Sequence, residues 1–180
     1  MTSDLHLARL FGLDGRVALV TGGSSGIGRA IALALGASGA HVLVAARTET
    51  AIDETVAAIH ELGGTAGGIV ADLSTRAGVH ALADAAGNVD IIVNSTGINL
   101  RPPLPELEEA VWDATMAVNL EAPFILGQRL APGMAERGYG RLIHISSQQA
   151  QRPFANSGAY GVSKAGLEAL ARSQAEAWSP

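Results

Sequence analysis

The segment Thr21-Gly22-Gly23-Ser24-Ser25-Gly26-Ile27-Gly28 sits between a β-branched run at residues 16–21 (RVALVT) and an Ala-rich run at residues 27–37. The first run has the composition of a buried strand, the second that of a helix. A strand that passes into a helix through this much glycine turns tightly and leaves its backbone open to close approach. The first turn of such a helix presents unpaired N–H groups and the positive end of its dipole, which together suit a phosphate.

Three other readings compete for the same residues. Gly22-Gly23-Ser24-Ser25-Gly26 satisfies G-x-S-x-G, the strand–turn–helix elbow that exposes a nucleophilic serine in hydrolases. That elbow belongs late in the strand order and is followed by an acid and then a histidine. Here it follows the first strand, and in the second half of the chain the only histidine on an expected strand is His144. This reading predicts Ser24-dependent ester cleavage. Gly23 to Gly28 also matches the GxxxxG of a phosphate loop, but Arg29 and Ala30 stand where Lys and Ser/Thr are required, so that reading fails. A glycine turn without a ligand is the plainest alternative.

Further strands are expected at residues 41–46 (HVLVAA), 66–71, 89–94 (VDIIVN) and 141–146 (RLIHIS). Gly67 and Gly68 weaken the run at 66–71. Helices are expected over residues 51–62, 75–86, 107–136 and 158–178, with Pro123 kinking the long one. Residues 101–105 contain three prolines and form a loop. Continuous apolar strands separated by helices indicate a parallel sheet covered on both faces. The expected fold is α/β, doubly wound and Rossmann-type, as a single domain over residues 1–180.

Composition narrows the function. The chain has 180 residues, 48% of them apolar but only 4% aromatic, so its core is built from Val, Ile, Leu and Ala. Net charge is −5 and no basic cluster occurs, which argues against nucleic acid as a partner. There is no cysteine, which excludes disulfides, thiolate catalysis and Cys-ligated zinc. The five histidines lack metal-ligand spacing, so no metal is expected. The first ten residues lack the basic-then-apolar order of a leader, and no apolar run approaches the ~18 residues of a membrane span. No membrane association is expected, and a soluble cytoplasmic domain is.

In a dinucleotide-binding fold, the end of the second strand meets the adenosine ribose. An acid there binds the 2′-hydroxyl, and an arginine accommodates a 2′-phosphate. Here that strand ends Ala45-Ala46-Arg47-Thr48. A guanidinium pairs well with phosphate, so NADP(H) is preferred over NAD(H). Further along, Tyr160 and Lys164 stand at i and i+4 on one face of the last helix. A free phenol titrates near about 10, too high for easy proton transfer at neutral pH, and a nearby cation favours its ionised form. The pair follows a strand ending Ile145-Ser146-Ser147, at the carboxyl edge where α/β folds bind ligands.

With these pieces in order, the chain resembles a short-chain dehydrogenase/reductase. Residues 21–28 are similar to the family's TGxxxGIG loop, in which Gly22, Ser24, Ser25, Gly26, Ile27 and Gly28 would hold the cofactor. Asn94-Ser95-Thr96-Gly97 resembles NNAG, with Asn94 and Gly97 kept. Tyr160 and Lys164 match YxxxK, and Ser147 lies 13 residues before Tyr160, where the family has its serine. Asn119 fits the asparagine of the long helix, and Asp72-Leu73 resembles the acid–apolar pair that holds adenine.

The resemblance implies hydride transfer between a nicotinamide and a carbonyl/alcohol substrate. In it Tyr160 is the general acid/base, and Lys164 eases its deprotonation and holds the nicotinamide ribose. Ser147 hydrogen-bonds the substrate oxygen, and Asn119 supports a water linking Lys164 to solvent. It also implies self-association into homo-oligomers.

The chain departs from the pattern in two places. Ser95 and Thr96 replace the second Asn and the Ala of NNAG, which implies local repacking. The sequence also stops at Trp178-Ser179-Pro180, where such proteins run through two more strands. The strand at 141–146, with Leu142, Ile143 and Ile145, is then expected at a sheet edge, which invites pairing with another chain. A C-terminally shortened piece of a longer enzyme is the expectation. A non-catalytic dinucleotide-binding or interaction module is the alternative. Asn99, Arg101, Gln148, Gln149 and Arg152 follow the last two strands near the expected substrate mouth, either as solvated loop residues or as contacts for a polar or anionic substrate. Residues 10–28 and Gly97-Ile98-Asn99 are similar to gluconate 5-dehydrogenase-type members.

Overall fold

The computed structural model describes residues 10–152 and 154–179. Residues 1–9, most of the stretch read above for a leader, lie outside that range. Five parallel strands, β1 (Val17–Thr21), β2 (His41–Ala46), β3 (Thr65–Val70), β4 (Ile91–Asn94) and β5 (Arg141–His144), pair in the order β3-β2-β1-β4-β5. The helices are α1 (Gly26–Ala37), α2 (Glu49–Glu61), α3 (Arg76–Ala86), α4 (Glu109–Met116), α5 (Ala122–Glu136) and α6 (Gly158–Trp178).

The strand sequences explain both faces of the sheet, because successive side chains point to opposite sides. Ala18, Val20, Val42, Val44, Ile91 and Val93 pack with Ala32, Ile52 and Ile59 of α1 and α2. Leu19, Ala45 and Ile92 turn the other way, onto Val79 and Leu82 of α3 and Leu126 of α5. Each Val, Leu or Ile among them that is fully removed from water stabilises the fold by about 1.5–3 kcal/mol.

Strand order reverses between β1 and β4, which are hydrogen-bonded neighbours. Chains leaving the carboxyl ends of these two strands diverge and open a crevice. Thr21, the last residue of β1, keeps that opening in place. Its hydroxyl accepts from the amides of Ser95 and Thr96, each at 3.2 Å.

Element ends shift by one or two residues from the sequence expectation, as at the starts of β4 (Ile91) and α2 (Glu49), and two departures bear on the site. The long helix at 107–136 is two helices, α4 and α5, joined by a π-helical turn over Ala117–Glu121. The amide of Ala122 reaches back five residues to the Ala117 carbonyl. Pro123 has no N–H to return to the carbonyl of Asn119 four residues earlier, so the irregularity falls before the proline. Asn119 lies inside it. The fifth strand stops at His144, two residues early, because beyond the Ile145 amide to Asn94 carbonyl bond, 3.1 Å, β4 and β5 part.

Candidate functional site

A cleft of about 540 Å³ opens at the carboxyl ends of the strands. The glycine loop forms one wall. Gly22 and Gly26 have φ of +66° and +51°, a left-handed backbone that suits glycine. A Cβ on Gly28 would stand 2.2 Å from the Gly22 carbonyl oxygen, so only a bare backbone lets α1 start this close to the strand it follows. Ser25, at the N-cap of α1, makes no side-chain capping bond. The first amides of the helix are thus left for something in the cleft, which Ser24, Ser25, Gly26, Ile27 and Gly28 all line. Ile27 exposes 63% of its surface there.

Next along the cleft come Arg47, just past β2, and Asp72 and Leu73, just past β3. Asp72 accepts from the Ser74 amide at 3.0 Å. The amide and hydroxyl of Ser74 hold the Asp72 carboxyl below its ordinary value, burial opposes them, and the Arg47 charge adds to the lowering. Leu73 is buried and offers an apolar rim.

The far wall carries Gly97, Ile98 and Asn99 after β4, Ile145 and Ser146 after β5, and Tyr160 and Lys164 from α6. Lys164 is 5% exposed. Its Nζ lies 5.8 Å from the centre of the Tyr160 ring and donates to the Ile145 carbonyl at 2.7 Å. Burial lowers the pKa of the Lys164 ammonium. A Cβ on Gly97 would fall 3.6 Å from that nitrogen, so the loop runs directly against it.

Asn119 is 1% exposed and does not line the cleft. It braces the cleft from behind, with Oδ1 accepting from the Ile98 amide at 2.8 Å and Nδ2 donating to the Ile98 carbonyl at 2.9 Å. The same Nδ2 donates to Ser163 Oγ at 3.1 Å, and Ser163 donates to the Tyr160 carbonyl at 2.8 Å. One amide therefore ties the loop after β4 to the helix that carries Tyr160. Asn94 is also buried, behind the loop.

Ser147, like Asn94 and Asn119, does not line the cleft. Its hydroxyl accepts from the Gln149 amide at 3.2 Å and caps a short 3₁₀ turn over Gln148–Ala150. Ser146 lines the cleft instead and donates to Glu168 at 2.9 Å. Of the polar loop residues, Asn99 lines the cleft and accepts from Arg101 Nε at 2.9 Å. Gln149 is buried with its Oε1 unpartnered. Gln148 and Arg152 are exposed outside the cleft.

Sequence reasoning missed Ser95, Thr96, Val118 and Ser146 as lining residues. The first two stand at the altered positions of the Asn94-to-Gly97 segment, and that position was the available signal. The elbow reading finds no support at Ser24, because no histidine among the described residues lines the cleft beside it. No helix among the described residues is long and apolar enough to cross a membrane.

The family model described as short chain dehydrogenase matches residues 16–180. D-threitol dehydrogenase of Mycolicibacterium smegmatis is 38% identical over 175 residues, 93% of this chain and 66% of its own length. Gluconate 5-dehydrogenase of Gluconobacter oxydans is 34% identical over 173 residues, 94% of this chain and 68% of its own. A metagenomic short-chain oxidoreductase, solved in complex with NADP, superposes with a TM-score of 0.86 at 41% identity, over 91% of this chain and 76% of that one. The chain thus spans about two thirds of the length of the curated relatives it matches.

Proposed function

The chain belongs to the short-chain dehydrogenase family, and from that premise we propose that it binds NADP(H) in the cleft and interconverts a carbonyl and an alcohol on a small molecule, with Tyr160 as general acid/base. The observation that carries this reading is the shared cleft. Tyr160 and Lys164 line the same space as the glycine loop, Arg47 and Asp72.

The residues present fit a dinucleotide. The loop backbone and the uncapped start of α1 suit a pyrophosphate, because they offer donors where no Cβ intervenes. Arg47 would pair with a 2′-phosphate, a contact available to NADPH and not to NADH. Asp72 and Leu73 would hold the adenine between a hydrogen-bond acceptor and an apolar rim. When bound, the nicotinamide supplies or accepts the hydride, a chemistry no side chain provides.

The chain itself handles the proton. Tyr160 gives its phenolic proton to the forming alkoxide, or takes it in the reverse direction. The Lys164 ammonium, held on the Ile145 carbonyl, keeps a positive charge beside that phenol and would also meet the nicotinamide ribose. Asn119 holds the loop and the helix in register, which keeps the reacting groups in place. Ser146, the serine hydroxyl on the cleft wall, and Ser147, the one at the family's spacing, are the candidates to hydrogen-bond the substrate oxygen. We infer a small polyhydroxylated substrate, in keeping with the relatives' names, and self-association through the face on which Phe124 is 44% exposed.

Fluorescence titration of the purified chain with NADPH and with NADH tests the cofactor assignment. Tighter binding of NADPH, lost in Arg47→Ala, is expected. Equal binding of the two cofactors, unaffected by Arg47→Ala, would contradict it.

A further inference from the structure

His144 joins three elements through both of its ring nitrogens. The Asn94 amide nitrogen donates to Nδ1 at 3.2 Å, and Nε2–H donates to Gln174 Oε1 at 2.8 Å. This pattern fits one state of the ring, neutral with the proton on Nε2. Asn94 and His144 are register partners at the ends of β4 and β5, and Gln174 lies on α6 with 4% of its surface exposed.

The position of this chain of bonds is what gives it a consequence. Just beyond Asn94 the segment 95–99 enters the cleft, and just beyond His144 so do Ile145 and Ser146. The last backbone bond between the two strands is Ile145 amide to Asn94 carbonyl. The Asn94–His144 pair therefore sits where the strands separate, one residue from the carbonyl that receives Lys164.

We propose that neutral His144 is a positioning residue, a clasp between β4 and β5 that sets the spacing of the two loops forming the far wall of the cleft. The pair needs an acceptor at Nδ1. A proton there would set N–H against the Asn94 amide N–H and break the clasp unless that amide turned over. The charged group that bears on the ring is Lys164 on α6, whose positive charge opposes protonation of His144. Arg141 on the same strand lies over the Tyr139 ring at 4.8 Å, and Glu168 on α6 accepts from Ser146. Asn94 and Gln174, which touch the ring directly, are neutral. Loosening the clasp would move the loop carbonyl that holds Lys164, so cofactor and substrate would both meet a less ordered wall.

NMR of the full chain tests the clasp without recourse to activity. At neutral pH the His144 ring should be the Nε2–H tautomer. As pH falls, the amides of Ser95, Thr96, Gly97, Ile145 and Ser146 should shift with the midpoint of His144. In His144→Asn, whose side-chain oxygen stands near the place of Nδ1 and does not titrate, that response should vanish. A ring protonated on Nδ1 at neutral pH would overturn the proposal. So would loop amides indifferent to His144 in the parent, or amides that titrate identically in His144→Asn.

The expectation for ligand rests on the proposed function. NADPH affinity of the parent should weaken along the same midpoint and stay level in His144→Asn. Absence of NADPH binding at any pH would sink the functional reading, while the amide titration would still decide the clasp.

Discussion

Lys164 donates from Nζ to the carbonyl of Ile145 at 2.7 Å, and so fastens the N-terminal part of α6 to the residue just beyond β5. No carboxylate among the described residues pairs with this ammonium. Its charge is therefore kept next to the cleft and not spent on a counter-ion. Burial of an unpaired cation is costly, a cost that a purely structural lysine would have no reason to carry. Lys164→Met should keep the fold, followed by circular dichroism, and reduce turnover by about 10²–10⁴, the usual worth of assisted proton transfer. Parent-like turnover would remove Lys164 from the mechanism.

Arg47 stands at the mouth of the cleft and its charge bears on Asp72. If it meets a 2′-phosphate, Arg47→Ala should weaken NADPH by about tenfold or more, since a hydrogen bond to a charged group is worth about 1.5–3 kcal/mol. NADH affinity should hardly change. Parallel isotherms with the two cofactors would read the difference directly.

Gly26 and Gly28 make a contrast within one turn. A Cβ at Gly26 meets nothing within 4 Å, although its φ is +51°. Gly26→Ala should cost only the strain of a left-handed residue, about 1–2 kcal/mol. At Gly28 the added Cβ would lie 2.2 Å from a backbone oxygen, so α1 or the loop must move. Gly28→Ala should therefore lower the thermal midpoint more than Gly26→Ala and should abolish cofactor binding. Equal effects from the two variants would contradict the packing described.

Burial lowers the His144 pKa, Lys164 adds to the lowering, and Gln174 opposes it. The unfolded chain therefore takes up this proton before the folded one does. The stability involved is fully present above the ordinary value of 6.5 and is lost as pH falls from there through the lowered folded-state value. Urea midpoints of the parent should drop on mild acidification more than those of His144→Asn. Parallel curves for the two proteins would exclude His144 as the source.

Much of this arrangement was legible in the sequence, for physical reasons. The strand His41–Ala46 and the helix Gly158–Trp178 fall where composition and period put them, because each is bounded by a sharp change in pattern. The glycine loop is legible in its pattern, Arg47 in its place after the second strand, Tyr160 and Lys164 in their spacing and Asp72 through the family resemblance, and all of them share one cleft. What escaped depends on contacts between segments distant in the chain. The π turn arises where Pro123 lacks a donor and Asn119 meets Ile98 and Ser163, and no local pattern announces it. Ser147 stands at the family's distance from Tyr160, and Ser146 beside it is the serine hydroxyl on the cleft wall, a difference set by where β5 ends. His144 reads from sequence as a hydrogen-bonded core or rim residue, but its partners Asn94 and Gln174 lie 50 and 30 positions away, so no local pattern names them.

The central claim is that Tyr160 moves the proton in a cleft built for a nicotinamide dinucleotide. Its most direct test pairs two readings on Tyr160→Phe, NADPH affinity by fluorescence and turnover on a panel of small ketones and polyols. The account predicts that NADPH binds as it does to the parent while turnover of any substrate the parent accepts falls by about 10²–10⁴. Turnover equal to that of the parent would contradict it.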